Sequence, residues 1–130
     1  MIRKSIIYCL ALLLVALVSC AKSEEALLQD TVTEAVTALC EGDVDTYLHH
    51  TDFGKEMDSL HVSLQEAMLK RFVSAVERKG GLESIGFTQC LLQTDSLASV
   101  SYSIRYKDGT DEQKIASMIR KNGRWRMKVL

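Results

Sequence analysis

The chain has 130 residues, with 16 basic and 17 acidic side chains and a formal net charge of −1. A chain so evenly balanced has no electrostatic reason to seek nucleic acid or anionic lipid. It contains no proline, no low-complexity run and no internal repeat, and it is long enough for one domain with its own core, without metal or disulfide staples.

The N-terminus reads as an export signal. Arg3 and Lys4 supply a positive start, and the stretch from Ile6 to Val18 is almost unbroken apolar chain. It is too short for a stable spanning helix and right for a signal h-region. Leu17-Val18-Ser19-Cys20 follows at once and resembles the bacterial lipobox. The chemistry accounts for the pattern. The Cys20 thiol is alkylated by diacylglycerol, and cleavage between Ser19 and Cys20 needs a small side chain before the cut. Residues 1–19 are therefore expected to be a lipoprotein signal peptide, residues 20–25 a lipidated tether and residues 26–130 a single α+β domain. Loss of the signal leaves 111 residues and a net charge of −3. Several acyl chains, at about 0.8 kcal/mol per buried CH₂, make such an anchor effectively permanent. No Asp directly follows Cys20, so the expected address is the outer membrane of a Gram-negative envelope, periplasmic or surface-exposed. Ala21-Lys22-Ser23-Glu24-Glu25 reads equally as a solvated tether or as a loose match to a surface-export signal.

From Glu24 to Cys40 the spacing is helical, with Leu27, Leu28, Val32, Ala35, Val36 and Leu39 on one face. Gly42 ends this helix, and Asp43 or Asp45 caps a short second one through Tyr47, Leu48 and His49. Thr51-Asp52-Phe53-Gly54 reads as a turn. Ser59 or Ser63 opens a longer helix to about Lys79, with Leu64, Ala67, Met68, Phe72, Val73 and Val76 as its apolar stripe, and Gly80-Gly81 stops it. Strands follow. Ser84 to Gln93 is the first. In the second, Ser99, Ser101, Ser103 and Arg105 alternate with Ala98, Val100, Tyr102, Ile104 and Tyr106, the period of a half-buried strand. Asp108-Gly109 marks a hairpin into a strand from Gln113 to Arg120, and Asn122-Gly123 marks another into Trp125 to Leu130. The predicted fold is α+β, with N-terminal helices packed on a curved four-stranded antiparallel sheet.

This order of elements, closing on a Trp-containing strand, resembles the cystatin-like and nuclear transport factor 2-like class. Glu41-Gly42-Asp43-Val44-Asp45-Thr46-Tyr47-Leu48 resembles its Gly-Asp turn. Tyr106-Lys107-Asp108-Gly109-Thr110 and Asn122-Gly123-Arg124-Trp125-Arg126-Met127 resemble its closing hairpins. Gram-negative lipoproteins of this build form a family of unknown function with a nuclear transport factor 2-like or lumazine-binding-like domain. The resemblance implies a cone-shaped fold with a pocket between helices and sheet. It implies no activity, because this fold hosts enzymes, binders and scaffolds alike.

An enzyme of this class needs a carboxylate base in an apolar pocket and a phenol or acid as oxyanion donor. Tyr102 and Tyr106 on the apolar strand face, with Trp125 near the sheet end, are the candidate pocket residues; the alternative is that all three are core. Glu66, Glu77, Glu83 and Glu112 fall on polar faces or element ends, so no acid is expected at an inward strand position and no catalytic residue is assigned. His49 and His50 point to different helix faces, and with Asp43, Asp45 and Asp52 they make a poor metal site. No metal and no cofactor are expected. Cys40 and Cys90 are a candidate disulfide, permitted outside the cytoplasm, or two free thiols. Arg105, Lys114, Arg120, Arg126 and Lys128 would give the open sheet face a mildly basic exterior if they share it, beside the serines of the second strand. The expected partners are a membrane through the N-terminal lipid, and an envelope protein or a small ligand. Nucleic acid is not among them, and self-association into a homo-oligomer through the open sheet face is a third option. The leading expectation is a non-enzymatic binding or accessory module; the alternative is a small-molecule pocket protein or enzyme of the same fold.

Overall fold

The computed structural model describes residues 23–52 and 59–128. The chain runs α1 (Glu24–Cys40), α2 (Val44–His49), β1 (Thr51–Asp52), α3 (Ser59–Arg78), β2 (Leu82–Leu92), β3 (Leu97–Tyr106), β4 (Asp111–Lys121) and β5 (Arg124–Lys128). The fold is α+β, as predicted, with the helices against one face of the sheet. The signal peptide, Cys20 and the turn residues Phe53 and Gly54 lie outside the described residues. Among the described residues no helix is long and apolar enough to cross a membrane.

Helix α1 forms where its sequence has both a cap and a stripe. The Ser23 hydroxyl accepts the Ala26 amide at 3.1 Å, and Glu24 and Glu25 place negative charge at the positive end of the helix dipole. The helix thus starts at Glu24, where the spacing places it. Leu28, Val32, Ala35, Val36 and Leu39 are buried on its inner face. Each fully buried Leu or Val contributes about 1.5–3 kcal/mol relative to exposure. Gly42, at φ 86°, supplies the left-handed residue that lets the Asp43 amide return to the Ala38 carbonyl at 2.8 Å. Asp43 then caps α2 by accepting the Thr46 amide at 3.1 Å.

The sheet has five strands in the order β1-β5-β4-β3-β2. The predicted count of four misses β1, because Thr51–Asp52, read as part of a turn, pairs in parallel with Met127 and Lys128 of β5. A two-residue strand carries no alternation to read. It is held by tertiary contacts, chiefly the Met127 amide donating to the His50 carbonyl at 2.9 Å. The remaining pairs are antiparallel. Register shifts at Leu82/Ser84 and Phe87/Gln89 break the β2–β3 ladder, and such bulges bend a sheet toward the helices it must cover. Ala98, Val100, Tyr102, Ile104 and Tyr106 of β3 form the floor of the core, joined by Ala116, Met118, Trp125 and Met127.

Helix α3 departs from its predicted stripe. Val76 and Leu69 are buried and Phe72 packs against the core, but Leu64, Ala67 and Met68 are exposed. The stripe is continuous in sequence, yet among the described side chains those that pack closely on the core lie in the C-terminal half of the helix.

Candidate functional site

The register of β4 against β3 decides which side chains face the helices. Tyr102 lies opposite Lys114, Ile104 opposite Glu112 and Val100 opposite Ala116. Since Tyr102 and Ile104 point inward, so do Lys114 and Glu112. This corrects the expectation that no acid sits inward on a strand, and it removes Lys114 from the predicted basic exterior. Arg120, opposite Trp125, also belongs to the inner face. Arg105, Arg126 and Lys128 remain with Ser99, Ser101 and Ser103 on the outer one. The predicted shared basic face is therefore split between two sides of the sheet. The ion pairing across the β3–β4 hairpin agrees with this placement. Arg105, assigned outward, makes a cross-strand ion pair with Asp111 at 3.0 Å. An outward Asp111 requires an inward Glu112.

Glu112 is the centre of a small polar cluster. The Tyr106 hydroxyl donates to its Oε2 at 2.7 Å, and the Lys114 Nζ lies 3.1 Å from its Oε1. Burial alone would raise the Glu112 carboxyl, but the bond from Tyr106 and the Lys114 ammonium outweigh it and hold the group below its ordinary value. Tyr106 is pushed up, first by burial and then by its carboxylate partner. Tyr102 is also pushed up, chiefly by burial. Lys79 lies 4.5 Å from the centre of the Tyr106 ring, and Lys114 lies 5.4 Å from that of Phe72. Above this cluster a cleft of about 190 Å³ opens between sheet and helices. Tyr47, Leu69, Phe72, Tyr102, Ile104 and Lys114 are among its walls.

Of the three predicted pocket residues, only Tyr102 lines this cleft. Tyr106 is almost fully buried with its hydroxyl on Glu112. Trp125 stands at the other end of the sheet, where its Nε1 donates to Glu24 Oε2 at 2.9 Å. Arg120 donates to Glu24 Oε1 at 2.9 Å and lies over the Trp125 ring. The indole bond and Arg120 hold the Glu24 carboxyl below its usual range, against a smaller opposing effect of burial. This three-residue clamp fastens the start of α1 to the β4–β5 hairpin. Trp125 is buried and also borders a cleft of about 290 Å³ with Asp30, Glu34, His50 and Arg124.

The cysteines sit at different places. Cys90 on β2 receives a long contact from Gln29 Nε2 at 4.0 Å, in the first half of α1. Cys40 ends α1, about 16 Å further along the helix axis. Its charged and phenolic neighbours are Glu112, Lys114, Tyr102 and Tyr106. Both are free thiols, so the candidate disulfide does not form in this structure. Burial, with Glu112 and Glu41 adding to it, pushes the Cys40 thiol up to about 11. His50 is held at both ring nitrogens, by the Thr46 carbonyl at 2.9 Å and Glu34 at 3.0 Å, and its ring meets that of His49 edge to face. His50 thus ties α2 to α1.

No family model matches the chain. No curated protein matches it either. Among solved structures, the chain is similar to the crystal structure of a proposed NTF2-like transpeptidase (nuclear transport factor 2-like) from Campylobacter jejuni. The two share 11% of residues over 78% of this chain and 97% of that one, with a TM-score of 0.68. At that identity the likeness shows the fold: the domain has the nuclear transport factor 2-like architecture.

Proposed function

We propose that the chain is a lipid-anchored, non-enzymatic accessory or binding module of a Gram-negative cell envelope, attached through Cys20 after cleavage behind Ser19. The anchor rests on the Leu17-Val18-Ser19-Cys20 motif behind a charged and apolar leader. The non-enzymatic part rests on one observation: the inward carboxylate of the sheet is already committed. Glu112 accepts from Tyr106 and pairs with Lys114. A general base works best with a pKa near the operating pH, and this carboxyl is displaced away from it. Group transfer through the Cys40 thiol beside this cluster fares no better, since a buried thiol near 11 is a poor nucleophile. The transpeptidase description of the Campylobacter jejuni protein is therefore not carried over.

A second reading is favoured by the cleft itself. Its aromatic walls and the Lys114 ammonium suit a small ligand with a polar end, although about 190 Å³ is below the roughly 300 Å³ at which small-molecule sites usually begin.

Two measurements test the proposal. Metabolic labelling with palmitate should mark the protein, and Cys20→Ala should abolish the label; labelling that persists would refute the anchor. Capture of the lipidated protein from intact envelopes, after cross-linking, should recover a protein partner reproducibly. Recovery of a small ligand in its place, with none of the protein partners, would favour the pocket reading.

A further inference from the structure

One end of the sheet gathers features that the cleft does not use. The β2–β3 turn and the β4–β5 turn lie there, on the same side as the start of α1, and the Arg120 amide donates to the Ser96 carbonyl at 2.8 Å between them. Leu91 and Leu92 are the last two residues of β2 and are 49% and 52% exposed. Leu91 lies opposite outward Ser99 and Leu92 opposite inward Ala98, so the two side chains flank the strand tip on both faces. Leu92 borders one cleft together with Glu24, Thr94, Asp95 and Arg120. The leucine tip is therefore adjacent to the first turn of α1.

The length of chain before that turn sets where a membrane would be. The helix cap is Ser23. Only three residue steps separate it from Cys20, and at 3.3–3.6 Å per residue they reach about 11 Å at most. A domain tethered at Cys20 is therefore held with its helix-cap end within that distance of the bilayer surface.

We propose that Leu91 and Leu92 insert into the interfacial region of the lipid bilayer, forming a second contact that orients the domain; this rests on lipidation at Cys20. The attraction is apolar. Glu24, Glu25 and Asp95 offset Arg120 and Arg124 at this end, and Lys121 is already paired with Asp52 at 2.9 Å, so anionic headgroups are not required. The sheet's opposite turn, Lys107 to Thr110, faces away from the membrane.

The test is hydrogen exchange on the full lipidated protein, palmitate-labelled, in phosphatidylcholine vesicles and in phosphatidylcholine vesicles doped with phosphatidylglycerol. The expected result is vesicle-dependent slowing of exchange in the segment from Leu91 to Leu97 and none in Lys107 to Thr110, equal in both lipids. L91Q/L92Q, with an unchanged circular dichroism spectrum and unchanged palmitate label, should lose that slowing; L91M/L92M should keep it. A labelled protein without local slowing, or slowing that appears only with phosphatidylglycerol, overturns the docking while leaving the anchor intact. Slowing that rises with protein density in the membrane assigns the tip to a second copy and also overturns it. Absence of label sinks the anchor and the docking with it.

Discussion

Removal of the Tyr106 hydroxyl separates a structural from a chemical role for the inward cluster. In Tyr106→Phe the ring stays in the core, where Tyr106 is 1% exposed, and only the 2.7 Å bond to Glu112 is lost. Hydrogen bonds to charged groups contribute about 1.5–3 kcal/mol. Glu112 keeps its Lys114 partner, and its side chain remains 38% exposed, so water replaces part of the lost bond. The expected cost is therefore about 1–2 kcal/mol, or a Tm lower by roughly 5–10 °C for a domain near 100 residues. The effect should depend on pH with a definite sign. Glu112 titrates below its ordinary value in the folded protein. Its contribution is thus present above the unfolded value and fades as pH falls through the folded one. Urea melts of both proteins at pH 7 and pH 3 check this, since pairs elsewhere cancel in the difference. The gap between them should narrow at pH 3. A gap that is the same at both pH values, or below about 0.5 kcal/mol at pH 7, would refute the account of Tyr106 as the neutral donor to an ionised Glu112.

Two further outcomes follow from burial and backbone geometry. With its pKa near 11, about one Cys40 thiol in a thousand is ionised at pH 8, so iodoacetamide should modify half-exposed Cys90 first and Cys40 only on unfolding; peptide mass mapping that finds Cys40 reacting first would contradict its burial. Gly80→Ala should destabilise by about 1–2 kcal/mol in a denaturant melt, because Gly80 sits at φ 85° and a new Cβ would lie 3.3 Å from the Lys107 Cβ; an unchanged midpoint would count against the left-handed stop of α3.

Local chemistry was legible wherever a segment carried its own signal. Helix α1 has both a cap and a stripe, and its limits at Glu24 and Cys40 are those the spacing predicts. Strand β3 alternates cleanly, so its inward set of Ala98, Val100, Tyr102, Ile104 and Tyr106 was readable. Strand β4 is different. Ile115 points outward and is 72% exposed, while Glu112 and Lys114 point inward. Hydrophobicity therefore misassigns its faces, and only the register with β3 settles them. The same holds for β1, whose two residues are a strand solely because β5 lies beside them. Helix α3 misled in the opposite direction, since Leu64 and Met68 continue a stripe that the core does not cover.

The inward placement of Glu112 and Lys114 bears on what this domain can bind. A charged pair on the floor of an apolar core is costly unless each member is satisfied. Here the cost is limited because Lys114 and Glu112 pair with each other, Tyr106 donates to the acid, and both charges keep partial access to water. For Lys114 that access runs through the cleft it bounds with Tyr102, Phe72 and Gln65. Closing the cleft with apolar residues would strip water from the Lys114 ammonium, so the opening and that charge maintain each other. An occupant must then leave the pair intact or replace its water with polar atoms of its own. A purely hydrocarbon ligand would desolvate Lys114 without compensation. The cleft accordingly suits an amphipathic group, such as a side chain with a polar tip presented by a partner protein, better than an apolar metabolite. Tyr102 lies five residues along β3 from Leu97, about 17 Å from the leucine-bearing end at 3.3–3.4 Å per residue. Contact of that end with a bilayer would leave the cleft, with exposed Met68 on its rim, accessible to such a partner.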